Sequence, residues 1–169
     1  MTSVTLPSSL DTLGISAFSN CGMLSALTIP GNVKTISSMA FQDCTLLKNL
    51  TIGDGVEVIE DYAFKGCSLL NTISLPTSLT SIGREAFCNC TALAEITIPT
   101  NVTSIGRYAF DRCSALGRIY FENTEGWRND KVWSPADFDY KIIDVSDTFK
   151  NATRFKSTAN YCDAIWTRE

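Results

Sequence analysis

Histidine is absent from all 169 residues. That absence removes every Ser-His-Asp or Cys-His nucleophile arrangement and every zinc site that needs imidazole. No Gly-x-x-x-x-Gly-Lys or Gly-x-Gly-x-x-Gly run occurs, so no glycine-rich loop cradles a phosphate and no cofactor is expected. Basic charge is also scarce. The 14 Lys and Arg are scattered against 18 Asp and Glu, leaving a formal net charge of -4, with no stripe to neutralise a phosphate backbone and hence no nucleic acid partner. The longest apolar runs are a few residues, against the roughly 20 that a membrane helix needs, so no membrane insertion is expected. No charged n-region with an apolar h-region opens the chain, which reads as a cytosolic start or an already processed segment.

What is present is a period. Ala-Phe-x-x-Cys occurs five times, with Cys21, Cys44, Cys67, Cys90 and Cys113 each 23 residues apart. Leu24, Leu47, Leu70, Leu93 and Leu116 follow three residues later, and the apolar positions beyond them repeat with the motif. Self-similarity at this interval predicts a solenoid, in which each coil has too little apolar surface to fold alone and buries its faces on its neighbours. From Leu24, one unit alternates through Leu27 and Ile29 as a half-buried strand and ends at Pro30. Pro76, Pro99 and Gly53 take the same place in other copies, each able to interrupt a ladder and start a turn. Val33 and Ile36, with their equivalents, mark a second extended segment, and Ala-Phe-x-x-Cys has a short helical spacing that returns the chain to the next coil. Phe18, Phe41, Phe64, Phe87 and Phe110 then stack in one buried column.

The array begins at Val4 and loses its period after Phe121. Residues 1–121 are therefore assigned to the repeat array and 122–169, rich in Trp, Tyr and Phe, to a C-terminal cap, with a short amphipathic helix expected over Asp147 to Lys156.

The unit Leu-x-x-Ile-Thr-Ile-Pro-x-x-Val-x-x-Ile-Gly-x-x-Ala-Phe-x-x-Cys, matched nearly throughout from Ile96 to Cys113, resembles the BspA-type leucine-rich repeat family. Glu125-Gly126-Trp127 and the stretch from Asn151 to Trp166 are similar to C-terminal ends of bacterial members. The resemblance implies a right-handed leucine-rich repeat solenoid with one parallel β-sheet on its concave side, short helical turns elsewhere and a C-terminal cap. It also implies a surface-exposed or secreted interaction protein, with adhesion and host-protein binding as recurring roles, and brings no catalytic residue with it.

Seven cysteines are present. Stacked side chains run parallel instead of converging, so the five in the column are expected as reduced core thiols, whereas Cys88, outside the column, is expected to be exposed and reactive. Four Asn-x-Ser/Thr triplets, at Asn49, Asn89, Asn101 and Asn151, arise cheaply in a Thr- and Asn-rich repeat. Glu57, Glu60 and Asp61 read as a solvated charged face.

The outward strand columns are Thr28, Thr51, Ser74, Thr97 and Tyr120, and Ala26, Asn49, Thr72, Glu95 and Arg118. The second is too varied for the regular lattice an ice-binding array needs. Thr28, Asn49, Thr51, Thr72, Ser74, Glu95, Thr97, Arg118 and Tyr120 are instead the candidate partner-binding face, strongest at Glu95, Thr97, Arg118 and Tyr120, because exposed Tyr and Arg favour interfaces. The expected function is a non-enzymatic protein-interaction module, for a host surface or matrix protein; the alternative is a structural spacer in a larger surface protein. Val4, Leu6, Leu10, Leu13 and Phe18 also predict weak self-association through the N-terminal end.

Overall fold

The structure is a computed structural model that describes residues 3–123, 127–129 and 166–168. The predicted alternation produces a first strand in successive coils: β1 (Ser3–Thr5), β2 (Ala26–Ile29), β4 (Asn49–Ile52), β7 (Glu95–Ile98) and β9 (Arg118–Phe121). A two-residue strand follows in β3 (Thr35–Ile36), β5 (Val58–Ile59), β6 (Ser81–Ile82) and β8 (Ser104–Ile105). All pairings between coils are parallel, with Thr28 opposite Thr51 and Ile59 opposite Ile82, so the 23-residue step of the sequence is the step of the solenoid. The turn expected at Gly31-Asn32 closes where the Val33 N–H donates to the Pro30 carbonyl at 3.2 Å, and it recurs at Val56, Leu79 and Val102.

The resemblance implies one sheet; the structure has two strand columns. Ile36, Ile59, Ile82 and Ile105 are anchored in the core, which holds the residue before each extended against the next coil. This second ladder runs unbroken from β3 through β5 and β6 to β8, then continues antiparallel into β11 (Trp166–Arg168) and β10 (Trp127–Asn129). The first ladder is split into β1-β2-β4 and β7-β9, with residues 71–76 in no strand between them, although the Asn71 carbonyl accepts the Ala94 N–H at 3.3 Å. Proline contributes to the split. The Gly53 N–H donates to the Ile29 carbonyl at 2.9 Å, and the Glu122 N–H to the Ile98 carbonyl at 3.1 Å, each closing a four-residue pairing. Pro76 and Pro99 occupy the same place at the two unladdered junctions and have no N–H to give, and Pro30, also in that place, leaves a β1-β2 pairing of three residues instead of four.

The return corner is also different from its expectation. Among the described residues it contains no helix, because each coil has two left-handed residues around Ala-Phe-x-x-Cys, such as Met39 (φ 57°) and Asp43 (φ 58°), or Tyr62 (φ 62°) and Gly66 (φ 76°). Backbone donors alternate there. The Gln42 N–H turns back to the Met39 carbonyl at 3.0 Å, whereas the Phe41 N–H reaches the Ala63 carbonyl of the next coil at 2.8 Å. A helix would send every donor to its own chain segment, so the corner gives up helical bonds to stitch coils together.

The core fills the space between these three sides. The Phe column forms as predicted, with ring centroids 5.4, 5.3, 5.4 and 5.5 Å apart and interplanar angles of 10° or less. Coils stack at about 4.8 Å, so each ring also slides sideways into the offset geometry that aromatic quadrupoles prefer. Phe18, in the first coil, is only half buried.

The six described cysteines are free thiols. Four of them donate S–H to the Phe carbonyl one coil back: Cys44 to Phe18 at 3.0 Å, Cys67 to Phe41 at 3.3 Å, Cys90 to Phe64 at 3.2 Å and Cys113 to Phe87 at 3.0 Å. Cysteine thus fits the column as a small apolar side chain with one weak donor. Burial pushes the Cys44 thiol up to about 11 and holds Cys67 and Cys90 well above the ordinary range. Two expectations are corrected. Cys21, in the first coil, is exposed, and Cys88 is buried, its thiol raised to about 11 by desolvation first and by the charge of Asp111 next. Its column is Ser19, Gln42, Lys65 and Asp111, all half buried, so a short side chain there lies below its longer neighbours.

Candidate interaction face

Alternate residues of the first strands point away from the core, and the parallel register brings them into two columns. Asn49, Thr28 and Thr51 lie on the β1-β2-β4 block, where Ser3 and Thr5 extend the columns by one coil. Glu95, Thr97, Arg118 and Tyr120 lie on β7-β9, with Glu95 opposite Arg118 and Thr97 opposite Tyr120. Thr72 and Ser74 occupy the unpaired segment between the blocks. All nine candidate residues are exposed, Tyr120 at 37%. Ala26 is half buried. The face is hydroxyl-rich and uncharged on its first block and carries one acid, one base and one aromatic ring on its second.

Beside this face lies a column that the sequence reading missed. Met23, Leu46 and Leu69, each just before a core leucine, are 60%, 39% and 45% exposed in three successive coils. Their 23-residue spacing is the available signal, hidden because the adjacent leucine answers the same pattern. Ser3 and Thr5 were legible from Val4-Thr5-Leu6-Pro7 as a partial strand.

The other polar groups serve the stack. The hydroxyls of Ser68, Thr91 and Ser114 donate to the carbonyls of Thr45, Ser68 and Thr91, one coil back, at 3.2, 3.2 and 3.3 Å. Glu60 and Asp61 are not simply solvated charges: Glu60 Oε2 accepts the Ser38 N–H at 2.8 Å, and Asp61 Oδ1 accepts the Arg84 N–H at 2.7 Å. Both line a shallow hollow of about 360 Å³ on the second sheet. Glu57 pairs with Lys34 at 2.9 Å in the open. At the corner, Glu85 binds Lys65 at 2.6 Å and Arg84 at 3.2 Å, and both cations lie over the Tyr62 ring. The hydrogen bond to Glu85 raises the Lys65 ammonium above its usual range. The side-chain amide of Asn101 donates to the Thr77 carbonyl at 2.7 Å, which occupies it as a modification acceptor. Asn151 and the expected helix over Asp147 to Lys156 lie outside the described residues.

Among the described residues no group of three or more His, Cys, Asp or Glu side chains could hold a metal ion, and no helix is long and apolar enough to cross a membrane.

The comparisons with known proteins agree with this architecture. The BspA type Leucine rich repeat region matches residues 1–117 in 6 copies. A leucine-rich repeat protein of T. pallidum is 34% identical over 69% of this chain and 57% of its own, with a TM-score of 0.67. One from Bacteroides ovatus is 37% identical over 69% of this chain and 32% of its own, with a TM-score of 0.66. A leucine rich cell surface protein of Faecalibacterium prausnitzii is 33% identical over 75% of this chain and 40% of its own, with a TM-score of 0.58. The chain thus spans between about a third and somewhat over half of the length of these solved relatives. No curated protein matches it. With the repeat, the two strand columns and the matched region in agreement, the chain belongs to the BspA-type leucine-rich repeat family.

Proposed function

We propose that this protein is a non-enzymatic interaction module that binds a protein partner through the outward face of its first sheet, in adhesion to a host surface or matrix protein. Its family consists of repeat proteins of this kind, and one solved relative is named a cell surface protein, which supports a place at the bacterial cell surface or in secreted form. The observation that carries the reading is the β7-β9 block. Glu95, Thr97, Arg118 and Tyr120 present an acid, a hydroxyl, a guanidinium and a phenol at fixed spacing on paired strands. Rigid Tyr and Arg side chains on such a platform are the residue types that dominate interface energetics. Binding to a panel of host surface and matrix proteins tests it. Alanine at Tyr120 and Arg118 is expected to weaken a partner found there by more than about tenfold, whereas Lys34→Ala, away from this face, leaves affinity unchanged. Loss with Lys34→Ala and not with the pair overturns the choice of face.

The alternative is a structural spacer, favoured by the fraction of its solved relatives that the chain spans. A spacer tolerates alanine at all nine face residues; a binding module does not. In either role residues 1–121 act as the array and 122–169 as its cap. We also propose weak self-association through the first coil, where Ile15 is 72% exposed and Asp11 is the one charged side chain among residues 3–23. Charged gatekeepers are the usual defence of such an edge.

A further inference from the structure

We infer that residues 72–76 form a flexural joint, at which the first sheet opens while the second sheet and the Phe corner stay closed. The inference does not depend on whether the face binds a partner. Three observations meet at this coil. The four residues Thr72 to Leu75 pair with neither β4 nor β7, although the equivalent residues of the neighbouring blocks are fully laddered. Pro76 and Pro99 remove the donors that Gly53 and Glu122 supply at the closed junctions. The inward residues Leu50 and Ile73 are half buried, whereas their column mates Leu27, Ile96 and Ile119 are 4% exposed or less. Thinner burial and missing bonds on one side mark the low-stability end of a structure.

The other two sides hold. β5, β6 and β8 pair without interruption past this coil, and the Phe41, Phe64 and Phe87 N–H groups each reach the next coil at 2.8 Å. Bending therefore has an axis, along the second sheet and the corner, and an opening side, the first sheet. The two blocks that carry Thr28, Asn49 and Thr51 on one side and Glu95, Thr97, Arg118 and Tyr120 on the other can change their mutual angle without breaking a ladder hydrogen bond. Hinges of this kind concentrate the change in a few residues between rigid bodies.

The test uses the full chain with Cys21 and Cys162 replaced by serine. Spin labels at Thr5 and Tyr120 report across the first sheet, and labels at Thr35 and Ser104 report across the second. The distance distribution of the first pair is expected to be at least about twice as wide as that of the second. Pro76→Gly with Pro99→Gly, which restores both donors, narrows it toward the second. In parallel, the amides of Thr72 to Leu75 exchange at least about 100-fold faster than those of Ile96 to Ile98. Fast exchange with equally narrow distributions means a static gap and overturns the joint. So does protection of Thr72 to Leu75 equal to that of β7, or a width that the two glycines leave unchanged.

Discussion

The two strand columns of this solenoid are built from the same 23-residue unit, yet the column with the longer strands is the one that breaks. Four-residue strands in the first sheet bury more apolar surface than the two-residue strands of the second, and they are interrupted all the same. Strand length sets how much a ladder can gain. The residue that follows each strand sets how far the ladder extends: β2, followed by Pro30, pairs with β1 over three residues instead of four. Gly53 and Glu122 close it with an N–H, and Pro76 and Pro99 do not. After β5, β6 and β8 the residues are Glu60, Gly83 and Gly106, each of which donates its N–H to the coil before, and the short ladder is continuous. Continuity in a repeat protein thus follows from its least cooperative position instead of its strongest segment.

Removing mass from the shared core should strain this comparison most. Phe64→Ala in the middle of the stack is expected to cost about 3 to 5 kcal/mol, because both neighbouring rings lose their partner and coils cannot collapse into the cavity. Phe18→Ala, at a half-buried position with one ring neighbour, should cost less than half as much in the same urea titration. Equal losses would mean that the column is not the source of the coupling between coils.

The second sheet can be strained without touching the core. A Cβ at Gly83 would lie 2.5 Å from the Asp61 nitrogen, and the obstruction is backbone, which cannot step aside. Gly83→Ala should therefore cost about 1 to 3 kcal/mol, whereas Gly14→Ala meets nothing within 4 Å and should be neutral or slightly stabilising. Thermal unfolding of the two variants makes the comparison, and a neutral Gly83→Ala would show that adjacent coils can part on the second sheet after all.

Alkali offers a milder test of the interior against the first coil. A thiol raised from its ordinary 9.0 to about 11, as at Cys44 and Cys88, keeps its proton in the folded protein after the unfolded chain has lost it. Below pH 9 both states are protonated and stability is flat. Between about 9 and 11 the unfolded state binds fewer protons, so stability falls as pH rises. Of the six described cysteines, Cys21 alone should react quickly with a thiol reagent at neutral pH, and rapid modification of Cys88 would contradict its burial.

The smallest effect concerns association. Light scattering over a concentration series should show a weak dimer that Leu6→Lys abolishes, since the half-buried Leu6 packs beside the β1 edge. A strictly monomeric wild type at millimolar concentration overturns it.

Periodic features were legible in the sequence because every copy votes for them: the strands, the inward columns, the Phe stack and the core thiols. What escaped has identifiable causes. Met39, Tyr62, Glu85 and Tyr108 adopt left-handed backbone, but their side chains do not announce it as Gly or Asn would, so the corner read as helical. The hydroxyl column of Ser68, Thr91 and Ser114 was within the period, yet Thr and Ser suit exposed strands and turns and carried no separate signal. β10 and β11 lie beyond Phe121, where the repeat and its redundancy end. The nine residues of the candidate face are all exposed, as their outward alternation implied. Their division into two blocks has no such signal, since Pro30 closes a strand that stays laddered while Pro76 and Pro99 stand at the open junctions.

Phe41 has a consequence for how the gene can change. Its N–H reaches forward to Ala63 and its carbonyl accepts the thiol of Cys67, while its ring stacks on Phe18 and Phe64. Every one of those links joins positions whose types recur 23 residues away. A duplication or deletion of 69 nucleotides, wherever it begins within the array, therefore hands each severed link an equivalent partner, whereas the loss of a single codon leaves every link that spans it one residue out of phase.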